Sequence, residues 1–263
     1  MHAIENKTKK KLKNNELTLC MAVNQMRTPD VAMIAAECGF DALFVDLEHG
    51  PTSLESASLI CVAALAVGIT PIARIASHHT NDMARILDSG ALGLMVPHIE
   101  SKAEAEAIVQ ACRFPPIGHR STASTGPSVG YRKMAFADIN KTLNDETLLI
   151  AMLETPAAME HAEEIASVPG IDMLHIGAVD VTSELGVPGN LRDPRMWNMF
   201  ERVAKACKDH GKSMGVGGAR ADAALQTDLI RMGVRYLTIG SDVGFLMQAA
   251  RKDVDALRAL GLG

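Results

Sequence analysis

The chain has 263 residues, a net charge of −5, and 48% hydrophobic but only 3% aromatic side chains. The acidic balance argues against a nucleic-acid partner, and no apolar run reaches the roughly 18 residues of a membrane span. The five cysteines (Cys20, Cys38, Cys61, Cys112 and Cys207) form no C-x-x-C pair and are odd in number. They read as reduced thiols of a cytoplasmic protein.

Residues 1–16 carry Lys7, Lys9, Lys10, Lys11 and Lys13 with no apolar stretch behind them. They read as a frayed basic tail and not as a secretory signal. From residue 17 onwards, short β-like runs alternate with helical periodicity. Strands are expected at 17–23, 42–45, 70–75, 92–96, 148–153, 173–176, 213–216 and 236–239. Helices are expected at 29–38, 53–67, 81–89, 101–113, 132–143, 156–167 and 244–260. The stretch 114–130 is rich in Gly, Pro, Ser and Thr, and long loops of this kind are usually functional. Eight βα units without a composition break predict a single (β/α)8 barrel over 17–263, filled by branched side chains and methionine. An open doubly wound sheet would want a glycine fingerprint after its first strand. Met21-Ala22-Val23-Asn24-Gln25 supplies none.

Ionisable groups collect where the predicted strands end. Phe44-Val45 runs into Asp46-Leu47-Glu48-His49, Leu153 into Glu154, and Ile176-Gly177 into Asp180. In a barrel such positions converge on one mouth. Glu154 and Asp180 form a candidate pair of metal ligands, which leaves most of an oxygen-rich coordination sphere for water and substrate. Their structural alternative is helix and turn capping. Arg74 ends the third strand, where a guanidinium must be paired or face an anion. An ion pair with Asp46 or Glu48 is compatible with both. His49 beside carboxylates suits general acid/base work, against the alternative of a histidine capping a surface turn. His98 ends the fourth strand and faces the same mouth, and His175 reads as a hydrogen-bonded interior residue. No lysine ends a strand, and Lys212 precedes one, which argues against imine chemistry.

The series Asp46-x-Glu48-His49, Arg74, Val96-Pro97, Pro116-x-Gly118-x-Arg120, Leu153-Glu154-Thr155 and Ile176-Gly177-x-x-Asp180 resembles the metal-dependent pyruvate aldolases of the hydroxy-oxo-heptanedioate aldolase and citrate lyase family. The resemblance covers nearly the whole chain after Leu17. It implies a TIM barrel in which Glu154 and Asp180 bind Mg2+ or Mn2+, with Co2+ or Zn2+ as other acceptable ions. It implies that Arg74 supports a pyruvate enolate and that His49 is the acid/base, with Asp46 nearby. Gly177, Ala178, Asp180 and His98 join Arg74 as substrate-binding residues. Asp88 matches an aspartate that reaches a neighbouring subunit's site. The implied assembly is a homo-oligomer, a hexamer built as a trimer of dimers, with the last helix exchanged between subunits. Two departures stand out. Met152 occupies the place of a usual Gln, and Ala178-Val179 that of Pro-Ala.

The expected reaction is reversible aldol cleavage of a 4-hydroxy-2-oxo acid to pyruvate and an aldehyde. The same site would serve an oxaloacetate-type decarboxylase, or a malyl-CoA or citramalyl-CoA lyase, although no surplus segment for coenzyme A is evident. A non-catalytic keto-acid-binding oligomer would show eroded site residues, whereas these are all present.

Overall fold

A computed structural model describes residues 5–123, 125–220 and 222–261. The chain begins with helix α1 (Lys7–Lys13), followed by β1 (Thr18–Val23), α2 (Asp30–Glu37), β2 (Ala42–Asp46), α3 (Leu54–Val67), β3 (Thr70–Arg74) and α4 (Thr80–Asp88). Then come β4 (Gly93–Val96), α5 (Lys102–Cys112), α6 (Phe136–Glu146), β5 (Leu148–Leu153), α7 (Pro156–Glu160), α8 (Ala162–Ala166), β6 (Met173–Gly177) and α9 (Ala178–Glu184). The chain continues through α10 (Pro194–Asp209), β7 (Ser213–Gly217), α11 (Ala223–Met232), β8 (Val234–Ser241) and α12 (Asp242–Arg258). All neighbouring strands pair in parallel, and β1 closes on β8, so the expected eight-stranded barrel is the observed one.

The strands read as near-continuous apolar runs because both of their faces are covered. Alternation still sorts the side chains. Leu43, Val45, Ala73, Leu149, Ala151, Leu153, Leu174 and Ile176 point outward into the layer beneath the helices. Cys20, Ala22, Phe44, Ile72, Met95, Ile150, Met152, Met173 and Tyr236 fill the barrel interior. Continuing the inward parity by one step past the apolar residues reaches Asn24, Asp46, Arg74, Glu154 and Gly177. One alternation thus builds the core and loads the mouth.

Several expectations are corrected. Residues 5–16 are not frayed. Asn6 caps α1, Thr8 and Lys9 are buried, and Leu12 joins the interior cluster from below. Lys9 Nζ pairs with Asp172 at 3.0 Å and donates to the Thr147 carbonyl at 2.6 Å. Basic side chains here satisfy carbonyls at the strand-start end of the barrel, which hydropathy alone does not show. The helix expected at 156–167 breaks at His161 into α7 and α8. The helix expected at 132–143 starts later, as α6, and the long loop before it contains a 3-10 turn at Pro127–Val129.

Candidate active site

Asp46 and Arg74 are register partners on β2 and β3. Arg74 Nε donates to Asp46 Oδ1 at 3.0 Å and Nη2 to Oδ2 at 2.6 Å, a two-pronged pair. Asp46 Oδ1 also accepts from the amides of Glu48 and His49, and Oδ2 from Asn24 Nδ2. Burial alone would raise the Asp46 pKa. The hydrogen bonds and charge of Arg74, with the two amides, outweigh it and hold the carboxyl below the usual range. Burial likewise opposes the charge on Arg74, and Asp46, Glu48 and Glu154 overcome it. Asp46 is therefore saturated as an anchor for Arg74 and for the loop after β2. Although it lies three residues before His49, it does not hold the His49 ring. The carboxylate near that ring is Glu48, whose Oε2 lies 3.7 Å from His49 Nε2 and 3.2 Å from Arg74 Nη1. The His49 side chain is 62% exposed, so it projects over the mouth.

Glu154 directly follows β5 and is 2% exposed. Its Oε2 accepts from the His98 amide at 3.0 Å and lies 3.2 Å from His98 Nδ1. His98 adopts a positive φ of 54° and also places Nε2 3.0 Å from Glu48 Oε1. One imidazole thus spans the carboxylates of two strand ends. Burial raises the Glu154 pKa above its ordinary value, and the His98 amide and charge only partly oppose this. Gly177 forms a cradle for this side chain. A Cβ at Gly177 would lie 2.8 Å from Glu154 Cγ and 3.0 Å from its Oε1. Asp180 is exposed on the first turn of α9.

Arg74, Gly177, Ala178 and Asp180 line a cavity of about 170 Å3 with Phe44, Met95, Met152, His175, Gly217 and Thr238. Met152 brings its sulfur within 4.0 Å of Arg74 Nη1. His175 forms part of the floor. Burial pushes its pKa down to about 3, with the charge of Arg74 adding to the effect, so the imidazole is neutral. Gly215 makes room for it, because a Cβ there would sit 2.8 Å from His175 Cδ2. The expected hydrogen bond for this residue is weak. Nδ1 has no partner among the described residues, and Nε2 lies 3.5 Å from Thr238 Oγ1.

Asp88 is not brought to this mouth. It ends α4, which runs back toward the strand starts, and it pairs with the buried Arg120 at 2.5 Å. Lys212 likewise lies before β7 and donates to the carbonyls of Val168 and Ile171. Sequence reasoning missed Asn24 and gave Glu48 only a partner's part. The available signal was inward parity for Asn24, the first polar side chain after β1.

Glu154 Oε1 has no hydrogen-bond donor among the described residues, and Asp180 makes no ion pair there, so both can offer oxygen. Among the described residues no cluster of three or more Asp, Glu, His or Cys side chains has the geometry of a metal cage. Two such carboxylates suit hard oxygen-preferring ions, which complete their coordination with water and substrate.

The HpcH/HpaI aldolase/citrate lyase family profile matches residues 21–249. The chain is similar to a 4-hydroxy-4-methyl-2-oxoglutarate aldolase of Chaetomium globosum, 37% identical over 90% of this chain and 92% of that one. It is also similar to a hydroxypyruvate/pyruvate aldolase of Delftia acidovorans, 31% identical over 88% and 85% of the respective chains. Among solved structures, the HpcH/HpaI aldolase from Desulfitobacterium hafniense superimposes with a TM-score of 0.90 at 27% identity, covering 95% of this chain and 96% of that one.

Proposed function

The chain is an aldolase-type lyase of the HpcH/HpaI aldolase/citrate lyase family, and from that premise we propose its reaction. The reaction is reversible cleavage of a 4-hydroxy-2-oxo acid into pyruvate and an aldehyde. The observation that carries this reading is the buried, carboxylate-locked Arg74 facing a cavity shared with Asp180. A guanidinium fixed in advance can meet the negative charge that grows on the C2 oxygen as the C3–C4 bond breaks, with little reorganisation. Its two-pronged lock on Asp46 keeps the remaining Nη1 edge turned toward Glu48 and Met152.

Glu154 and Asp180 would hold the divalent ion, Mg2+ or Mn2+ with Co2+ and Zn2+ as alternatives, and Gly177 leaves room for the Glu154 carboxylate. When bound, such an ion supplies Lewis-acid polarisation of the substrate's keto oxygen. His49, exposed above Arg74 and beside Glu48, would take the proton of the 4-hydroxyl during cleavage and return it during synthesis. His98 would anchor Glu48 and Glu154 at the rim and offer a polar contact to substrate. Gly177 and Ala178, which line the cavity with Asp180, would contact the substrate.

The outward side of α12 supports a homo-oligomer. Val243, Leu246, Met247, Val254 and Leu257 are exposed apolar residues on this helix. We read it as packing on a neighbouring copy in a hexameric trimer of dimers, with Asp88 acting at a neighbour's site. No helix among the described residues is long and apolar enough to cross a membrane. The five free cysteines, four of them buried, support a cytoplasmic location.

The test is pyruvate release from a panel of 4-hydroxy-2-oxo acids, before and after chelation and with each ion restored. Activity is expected to vanish on chelation and return with a divalent ion. Borohydride with pyruvate is expected to trap no protein adduct. Full activity after exhaustive removal of metal would overturn the metal site, and a trapped adduct would overturn the enolate route.

A further inference from the structure

Asn24 follows β1 at the mouth with the inward parity of Cys20 and Ala22. Its Nδ2 donates to Asp46 Oδ2 at 2.9 Å, the oxygen that also accepts from Arg74 Nη2. The amide thus touches the carboxylate that fixes the guanidinium, not the guanidinium itself.

The main chain of Asn24 is held from two sides. Asp242, buried at the start of α12, accepts from the amides of Asn24, Gln25 and Met26 at 3.1, 2.9 and 2.7 Å. From the other side, Gly50 approaches so closely that a Cβ there would lie 2.7 Å from the carbonyl oxygens of both Asn24 and Asp46. The side-chain amide is therefore presented by a fixed backbone. Among the described residues Asp46 Oδ1 has three donors, and Oδ2 has two, Arg74 and Asn24. In a fully buried carboxylate, losing one of two donors to an oxygen leaves it under-satisfied and free to turn. Any turn moves Arg74, because both Arg74 hydrogen bonds end on that carboxylate.

We propose that Asn24 is a positioning residue for the reaction: it fixes the Asp46 carboxylate in the orientation Arg74 requires, and Asp242 at the root of α12 fixes Asn24. The inference rests on the role given to Arg74 above. It adds that the placement of the guanidinium depends on the β1–α2 loop and on the start of the last helix.

The experiment uses full-length Asn24→Ala and Asn24→Asp, with Arg74→Lys as reference. Aldol cleavage and oxaloacetate decarboxylation are both measured with saturating Mg2+ or Mn2+ across the pH range in which each protein stays folded, as checked by thermal midpoints in the same buffers. A misplacement of about 1 Å can cost on the order of a hundredfold. Asn24→Ala is therefore expected to lower kcat for both reactions by roughly ten- to a hundredfold, with a smaller change in KM. Asn24→Asp sets two carboxylates at hydrogen-bond distance beside Arg74, with Asp242 and Glu48 as the other nearby acids, and such a pair retains a shared proton to higher pH. Its protonated form can donate to Oδ2 as the amide does. This variant is expected to keep near-wild-type turnover at the acid end and fall to the Asn24→Ala level as pH rises, a limb that the wild type and Asn24→Ala lack.

An unchanged kcat in Asn24→Ala beside an impaired Arg74→Lys would overturn the positioning role alone, as would an Asn24→Asp profile without the limb. An unimpaired Arg74→Lys would overturn the role of Arg74, and the inference with it. If Asn24→Ala does not fold, the near-isosteric Asn24→Asp still decides through its pH profile.

Discussion

Gly177→Ala is a one-carbon test of the cradle under Glu154. The backbone at Gly177 has φ −80°, which alanine adopts freely, so the effect is steric and not conformational. The added Cβ would meet Glu154 Cγ at 2.8 Å, Met152 Cε at 2.9 Å and Glu154 Oε1 at 3.0 Å, where ordinary contact begins at 3.4 Å. The Met152 methyl can swing aside. Glu154 cannot move easily, because its Oε2 is tied to His98. Relief requires a shift of roughly half an ångström in either the carboxylate or β6. Overpacking of this kind costs about 1–3 kcal/mol of stability, and displacing a ligand and its substrate costs up to about a hundredfold in turnover. Pyruvate release coupled to NADH oxidation, with a divalent-ion titration and a thermal melt, reads all three effects. The expected outcome is at least tenfold weaker apparent ion affinity, lower kcat and a melt lower by a few degrees. Wild-type ion affinity and turnover in this variant would refute Glu154 as the ligand held above Gly177.

His49→Ala is expected to damage aldol cleavage by about 10²–10⁴-fold while sparing oxaloacetate decarboxylation, which has no 4-hydroxyl proton to remove; equal losses in both reactions would assign the residue to the ion or enolate site instead. His175 should make the protein acid-sensitive. Its folded pKa is depressed to about 3 from 6.5, so its full contribution is present above the unfolded value and declines as pH falls toward the folded one. The slope is about 1.4 kcal/mol per pH unit in that window. Urea unfolding at pH 7 and pH 5 should therefore show the wild type losing roughly 2 kcal/mol more than His175→Gln, and equal losses would show that His175 is not buried neutral.

Much of this architecture was legible because one alternation governs both the core and the mouth. Leu148, Ile150 and Met152 point inward, so Glu154 must continue that face; Ile72 and Arg74, and Phe44 and Asp46, follow the same rule. Asn24 obeys it too and was passed over, because an amide carries no charge to mark it. Which carboxylate sits near the His49 ring was not legible, because spacing gives proximity in the chain, not which carboxylate is already saturated. Asp46 lies three residues from His49, yet its lone pairs go to Arg74, to Asn24 and to two amides. The role of α1 was invisible for another reason. A lysine-rich segment looks solvated until the carbonyls and carboxylate that receive it are known, and those lie far along the chain.

That receiving surface sets an order of assembly. Asn6 bonds to the Leu92 carbonyl and to Glu146, Thr8 to Thr70 and the Asp41 carbonyl, and Lys9 to the Thr147 carbonyl and Asp172. The berth for α1 is therefore incomplete until the chain through residue 172 has folded into adjacent strand starts. The segment that leaves the ribosome early takes its final place late, closing a loop that spans most of the barrel. Leu12 is its main apolar stake in the finished fold. Once seated, it stops the barrel at the end opposite the candidate site.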